Sequence, residues 1–251
     1  IERGTLQLAK ISFAVLDEAD EMLNMGFIDD IERILAESGP ERKTLLFSAT
    51  MPDRIRKTAE KYMKEYRVLT AEAVNGGKRL IEQSCYVVPG GLRSEALKRI
   101  IRIEPAFYGM VFCRTRAESD HVARDLSASG YLAEAIHGDI SQAQREKILG
   151  RFRAKTLSIL VATDVAARGI DVNDLTHVIN HSLPQDFANY VHRIGRTGRA
   201  GKNGKAITLI THSERRILPR LERISGGTIE IKRIPTIEEI SKSEEHVLEQ
   251  K

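Results

Sequence analysis

Leu157-Ser158-Ile159-Leu160-Val161 runs directly into Ala162-Thr163-Asp164-Val165-Ala166-Ala167-Arg168-Gly169-Ile170-Asp171, so a short apolar run ends on a hydroxyl, an acid, an arginine and a glycine. A run this short reads as a buried strand, because a helix declares itself over roughly 10–12 residues. The same unit repeats to either side. Residues 84–88, 107–112, 132–136, 177–179 and 206–210 are further candidate strands, with helices expected over 117–127, 142–152, 188–194 and 214–224. Strands alternating with helices imply a parallel sheet covered on both faces. In such α/β sheets ligands sit at the carboxyl ends of the strands, where the polar residues fall here.

A smaller set of elements precedes these. Residues 11–16 read as a buried strand, followed by a helix through Ile28, Ile31, Ile34 and Leu35, a strand at 44–47, a helix over 53–62 after Pro52, and a third short strand at 67–70. Glu72-Ala73-Val74-Asn75-Gly76-Gly77-Lys78-Arg79 has paired glycines and no periodicity, as a linker would. The expected division is therefore 1–70, a linker at 71–80, a second domain over 81–233, and a polar tail at 234–251 that is solvated or disordered.

Of 251 residues, 41% are hydrophobic and 29% charged, an ordinary globular balance. No apolar run approaches the roughly 20 residues of a membrane-spanning helix. Cys85 and Cys113 stand alone, without disulfide or zinc spacing, which points to a reducing cytosol and a cytoplasmic protein. Net charge is +4, and the basic residues crowd the stretch from Arg193 to Arg223. The chain opens on Ile1 in mid-pattern, and we expect it to belong to something longer.

Several segments following expected strands suit phosphate chemistry. Asp17-Glu18-Ala19-Asp20 follows Phe13-Ala14-Val15-Leu16. A carboxylate there can hold a hydrated magnesium ion, and its neighbour can polarise a water for attack on a phosphoryl group. Helix capping by Asp17 or Asp20 is the plainer reading. Ser48-Ala49-Thr50 ends the strand Leu45-Leu46-Phe47 and can cap a helix near Pro52. In His192-Arg193-Ile194-Gly195-Arg196-Thr197-Gly198-Arg199, a helical path would put Arg196 and Arg199 on one side, and interleaved glycines admit a ligand close to the backbone. A basic surface helix is the plainer alternative. Thr163 can cap a short helix whose amides hold a phosphate, or Arg168 can pair with Asp164 or Asp171. Phe112-Cys113-Arg114-Thr115, and His137-Gly138-Asp139 with Gln142 and Arg145, also sit at strand ends.

In order along the chain these segments resemble the motifs of the DEAD-box ATP-dependent RNA helicases, the nearest subgroup being the bacterial cold-shock and ribosome-assembly type, to which Ser213-Glu214-Arg215-Arg216 and Ile234-Pro235-Thr236 are similar. The resemblance implies RecA-like domains, one partial and one complete, using ATP and Mg2+. It makes Asp17 the magnesium holder through water, Glu18 the residue that activates water, Arg196 and Arg199 the arginine fingers, and Asp171 the ribose contact. It assigns Asp20, Ser48, Thr50, His192 and Arg193 to coupling of ATP with RNA, and Thr115, Gln142, Arg145, Thr163, Arg168 and Gly169 to the RNA backbone. Such contacts bind RNA without regard to sequence. Partners implied are RNA, an N-terminal half of the first domain, and ribosomal or RNA-decay assemblies.

The family's Gly-x-x-x-x-Gly-Lys-Ser/Thr loop does not occur among these residues; Gly195 to Gly201-Lys202 has one residue too many between its glycines. We therefore expect the chain alone to lack RNA-stimulated ATPase activity. The rivals are a non-catalytic RNA-binding or interaction module, and a DNA translocase on the same fold.

Overall fold

The computed structural model describes residues 6–48, 51–63, 65–70, 81–104, 106–170, 172, 175–199 and 201–241. The expected linker and the end of the tail lie outside them, as do Ala49, Thr50 and Asp171. The chain forms two compact units, Ile1–Asn75 and Gly76–Lys251.

In the smaller unit, β1 (Phe13–Leu16) and β2 (Lys43–Leu46) pair in parallel, Phe13 beside Lys43 and Val15 beside Leu45. Helices α1 (Ala19–Asn24), α2 (Ile28–Glu37) and α3 (Asp53–Tyr62) accompany them. The i, i+3, i+7 spacing of Ile28, Ile31 and Leu35 turns one stripe of α2 inward. Ala19, Ile28 and Ile55 form a small core, with Leu23 and Leu46 against it. Two expectations fail here. The strand at 11–16 is not buried: Phe13 is 60% and Val15 56% exposed, because only one face of the pair is covered. Residues 67–70 form no strand; Val68 and Leu69 are exposed, and no ladder partner stands beside them among the described residues.

The larger unit carries one parallel sheet in the order β5-β6-β4-β7-β8-β3-β9. Its strands are β3 (Ile81–Val87), β4 (Gly109–Cys113), β5 (Ala133–Ile136), β6 (Ile159–Thr163), β7 (His177–Asn180), β8 (Gly204–Ile210) and β9 (Glu230–Lys232). Helices α4 (Arg93–Ile103) and α5 (Arg116–Ala128) cover one face through Leu97, Ile100, Val122 and Leu126. The other face is covered by α6 (Gln142–Arg153), α7 (Asp164–Ala167), α8 (Ala188–Ile194) and α9 (Leu218–Ser225). Central strands read as unbroken apolar runs because both faces are buried, as throughout β4 and β6. The chain leaves β4 toward β5 but leaves β6 in the opposite direction, toward β7. That divergence opens a crevice at the carboxyl ends of these strands.

The sequence reading passed over α4 and β9. It also took 214–224 as one helix, where a 3-10 turn (Ser213–Ile217) leads into α9. The tail is not wholly solvated. Residues 237–241 are helical and Ile240 is 5% exposed. Thr236 and Glu239 form a reciprocal cap: Glu239 N donates to Thr236 Oγ1 at 3.3 Å, and Thr236 N to Glu239 Oε2 at 2.8 Å. Among the described residues no helix is long and apolar enough to cross a membrane.

Candidate functional site

In the smaller unit the site is the turn from β1 into α1. Glu18 sits there with φ 52°, ψ 45°, a left-handed conformation that L-residues with a long side chain rarely adopt. The turn is held from three sides. Asp17 Oδ1 accepts from Glu18 N at 2.9 Å, Ala19 N donates to Phe47 O at 3.1 Å, and Asp20 N donates to Ser48 Oγ at 3.1 Å. Ser48 thus caps α1, and α3 starts behind Pro52 with no side-chain cap. Asp20 is buried, whereas Asp17 is exposed and Glu18 half-buried. The strained turn sets an exposed and a half-buried acidic residue side by side at a strand end. Asp17 retains a carboxylate oxygen that the Glu18 amide does not use, and a single hard oxygen donor of this kind suits a hydrated magnesium ion.

In the larger unit Arg193 is the centre of the strand-end cluster and is 1% exposed. Its Nη2 donates to Asp164 Oδ2 at 2.8 Å and its Nε to Asp164 Oδ1, a two-pronged ion pair. Its Nη1 donates to Asn180 Oδ1 at 3.0 Å and Ser182 O at 2.7 Å, and its plane lies 5.1 Å over the Phe112 ring. One guanidinium therefore ties together α7, α8, β4 and β7. Asp164 belongs to Arg193 and not to Arg168, which overturns one of the two pairings weighed from sequence, the other partner, Asp171, lying outside the described residues; Arg168 Nη2 reaches Asn189 Oδ1 at 3.4 Å.

Helix α8 ends at Ile194 with Gly195 as its cap, so no helical path aligns Arg196 with Arg199. Arg196 is 9% exposed and donates to Ile170 O at 3.2 Å, while the exposed Arg199 folds back on Gly195 O at 2.6 Å. His192 is half-buried. Thr163 ends β6 at the N-cap of α7, but its hydroxyl bonds no helix amide. Gly169 holds φ +65° with nothing within 4 Å of where a Cβ would be, so the backbone turn and not crowding requires glycine. Arg145 Nη2 donates to Ala166 O at 2.7 Å and so braces that loop, while Gln142 stays exposed and donates to Glu146 at 2.9 Å.

Thr115 caps α5, accepting from Glu118 N at 3.1 Å. Sequence reading missed Glu118, which the fold makes a clamp. Its carboxylate accepts from Arg114 N at 2.8 Å, His181 Nδ1 at 2.7 Å and Ser182 Oγ at 3.2 Å. Burial would raise this carboxyl, yet those bonds prevail and hold it down to about 2. The available signal was Thr-x-x-Glu at a helix start. Burial likewise pushes the Cys113 thiol well above its ordinary range, so it behaves as a core side chain.

The family profile described as DEAD/DEAH box helicase matches residues 1–58, and that of the helicase conserved C-terminal domain matches 93–201. A probable ATP-dependent RNA helicase of Methanocaldococcus jannaschii is 51% identical over 223 residues, covering 89% of this chain and 59% of the relative. The DEAD-box ATP-dependent RNA helicase CshA of Geobacillus kaustophilus is 46% identical over 247 residues, covering 98% and 53%. The chain thus spans little more than half of these relatives. Among solved structures, Saccharomyces cerevisiae Dbp5 bound to RNA and ADP BeF3 superposes with TM-score 0.85 at 28% identity, over 98% of this chain and 66% of that one. Escherichia coli SrmB bound to the regulator of ribonuclease activity A is 33% identical, with TM-score 0.57, over 64% of this chain and 93% of that one.

Proposed function

Because this chain belongs to the DEAD/DEAH box helicase family, we propose that it is part of a cytoplasmic ATP-dependent RNA helicase that couples ATP hydrolysis to local strand separation or remodelling of RNA. The observation that carries the reading is the left-handed backbone at Glu18 beside the exposed Asp17. Such a conformation costs on the order of 1–3 kcal/mol and persists where function demands it. A helix cap alone would not.

In this reading Asp17 holds Mg2+ through water and Glu18 orients the water that attacks the terminal phosphate. Magnesium, when bound, offsets charge on the phosphates. In the larger unit Arg196 and Arg199 serve as the phosphate-binding arginines, leaving Ile170 O and Gly195 O to do so, and Asp171 takes the ribose. Thr115, Gln142, Thr163, Arg168 and Gly169 meet the RNA backbone. Arg145 and Arg193 act through others: one braces the loop carrying Arg168, the other locks α7 against α8. Asp20 and Ser48, joined by their hydrogen bond, couple the nucleotide turn to β2 together with Thr50, as His192 does on α8. RNA is distinguished from DNA by the 2′-hydroxyl. The segment that completes the first domain, and ribosomal or RNA-decay assemblies, are the proposed protein partners.

The test is RNA-stimulated ATPase in a protein extended upstream to include a phosphate-binding loop. Glu18→Gln should abolish turnover and leave ATP and RNA binding within a few-fold. Full activity in Glu18→Gln, or equal stimulation by DNA, would sink the reading.

A further inference from the structure

The basic stretch ending at Arg223 is only partly used by the strand-end site. Its last part is the 3-10 turn Ser213–Ile217 and α9, joined without a break, since Ile217 and Leu218 both keep right-handed helical angles. Leu218 and Leu221 face the core. Arg216, Arg220 and Arg223 fall on the opposite, exposed side at i, i+4 and i+7.

Among the described residues no acid neutralises them. The acids of the segment are turned elsewhere: Glu214 is bonded to Arg93 and to Thr211 N at 2.7 Å, and Glu222 accepts from Ile229 N at 2.9 Å. Among the described residues, none of the three arginines makes an ion pair. Like charges at these spacings repel, so the ridge works against its own helix. Arg220 is nevertheless held with its Cζ 4.4 Å from the centroid of the Phe187 ring, just before α8. A fixed guanidinium with no internal partner is pre-organised for an external one.

We propose that the Arg216–Arg220–Arg223 ridge is a second docking surface for the phosphate backbone of single-stranded RNA, beside the strand-end path. The ridge advances about 6 Å from Arg216 to Arg220 and about 4.5 Å on to Arg223. Those steps correspond to one to two nucleotides of a stacked strand, taking the rise of about 3.4 Å per nucleotide along one strand of a DNA duplex as the guide. An acidic protein partner fits less well. The ridge is flanked by Pro219 and by Ile224, the latter 37% exposed, and its aromatic neighbour Phe187 is half-buried and already covered by Arg220, so it offers no free aromatic anchor of the sort protein interfaces centre on. The proposal rests on the helicase reading only for the identity of the polyanion.

The experiment titrates the 251-residue chain, without nucleotide, against a fluorescein-labelled single-stranded RNA across a salt series. Arg216→Gln/Arg220→Gln/Arg223→Gln replaces three charges with a good helix former, and circular dichroism checks the fold. Loss of three phosphate contacts should flatten log K against log salt by about 2 and weaken binding several-fold in low salt. Unchanged affinity and slope in a folded triple variant would overturn the proposal. So would a triple variant that loses only binding of a polyglutamate competitor, which would mark an acidic protein site. Thr163→Ala/Arg168→Ala reports the strand-end path separately: no effect there counts against the proposed function while leaving the ridge result standing.

Discussion

Arg193 spends its guanidinium inside the protein, on Asp164, Asn180 and Ser182, with almost none of it reaching solvent. Removing one member of such a buried pair leaves the other charge stranded, which costs about 3–5 kcal/mol. Arg193→Ala should therefore lower the unfolding free energy of the larger unit, measured by urea denaturation, by that much, and Arg193→Lys should not restore it, since a point charge cannot replace a fork. Glu118 supplies a pH signature. Its carboxyl is held near 2 in the fold against an ordinary 4.5, so its contribution is complete above about 4.5 and is lost as pH falls through 2. The difference corresponds to roughly 3 kcal/mol. Denaturation at pH 7 and at pH 3 should show the loss in the parent chain, and Glu118→Gln should be weaker at pH 7 with a flatter acid limb. His192 to Arg199 stood out in the sequence as a candidate for phosphate chemistry. Which arginine is buried and which is exposed was not legible there, because that depends on Asp164, distant in sequence from Arg193.

At the level of elements, periodicity found most strands and helices of the larger unit, because a sheet covered on both faces writes its strands as apolar runs. It missed β9, a short edge strand with mostly exposed residues. It misjudged 67–70, where strand-forming residues have nothing to pair with. The helix expected over 188–194 does end at Ile194, but the helical path drawn on through Arg196 and Arg199 stops at Gly195. Packing between elements makes its own demand at Gly109 in β4, where a Cβ would lie 2.4 Å from His177 O of β7. Gly109→Ala must push β4 from β7 or distort both, and should destabilise the larger unit by more than 1 kcal/mol. Equal stability in calorimetry would show that the two strands can part freely. In the tail, Thr236→Ala removes the cap that seats Ile240, at a cost of about 1 kcal/mol, and should raise amide exchange over 237–241 alone.

On the scale of the whole molecule, the two units differ in how much surface they bury. Among the described residues the smaller has two strands, with Phe13, Val15, Leu45 and Phe47 left 46–60% exposed. The larger closes seven strands between helices on both faces. Opening free energies follow such burial. Hydrogen exchange on the monomeric chain should therefore find β1 and β2 exchanging well before β4, β6 and β7; uniform protection would show that the exposed side is covered in solution. Fold class and family could be read from the sequence because they rest on local signals: apolar runs that repeat, and polar residues that follow each run in a fixed order. Tertiary structure alone decided that Glu18 is strained, that Asp164 belongs to Arg193, that Glu118 clamps the loop carrying Thr115, and that three arginines along the 3-10 turn and α9 make no ion pair among the described residues. Each of these depends on groups brought together from separate elements, and the distance between such groups in space is not written in their spacing along the chain.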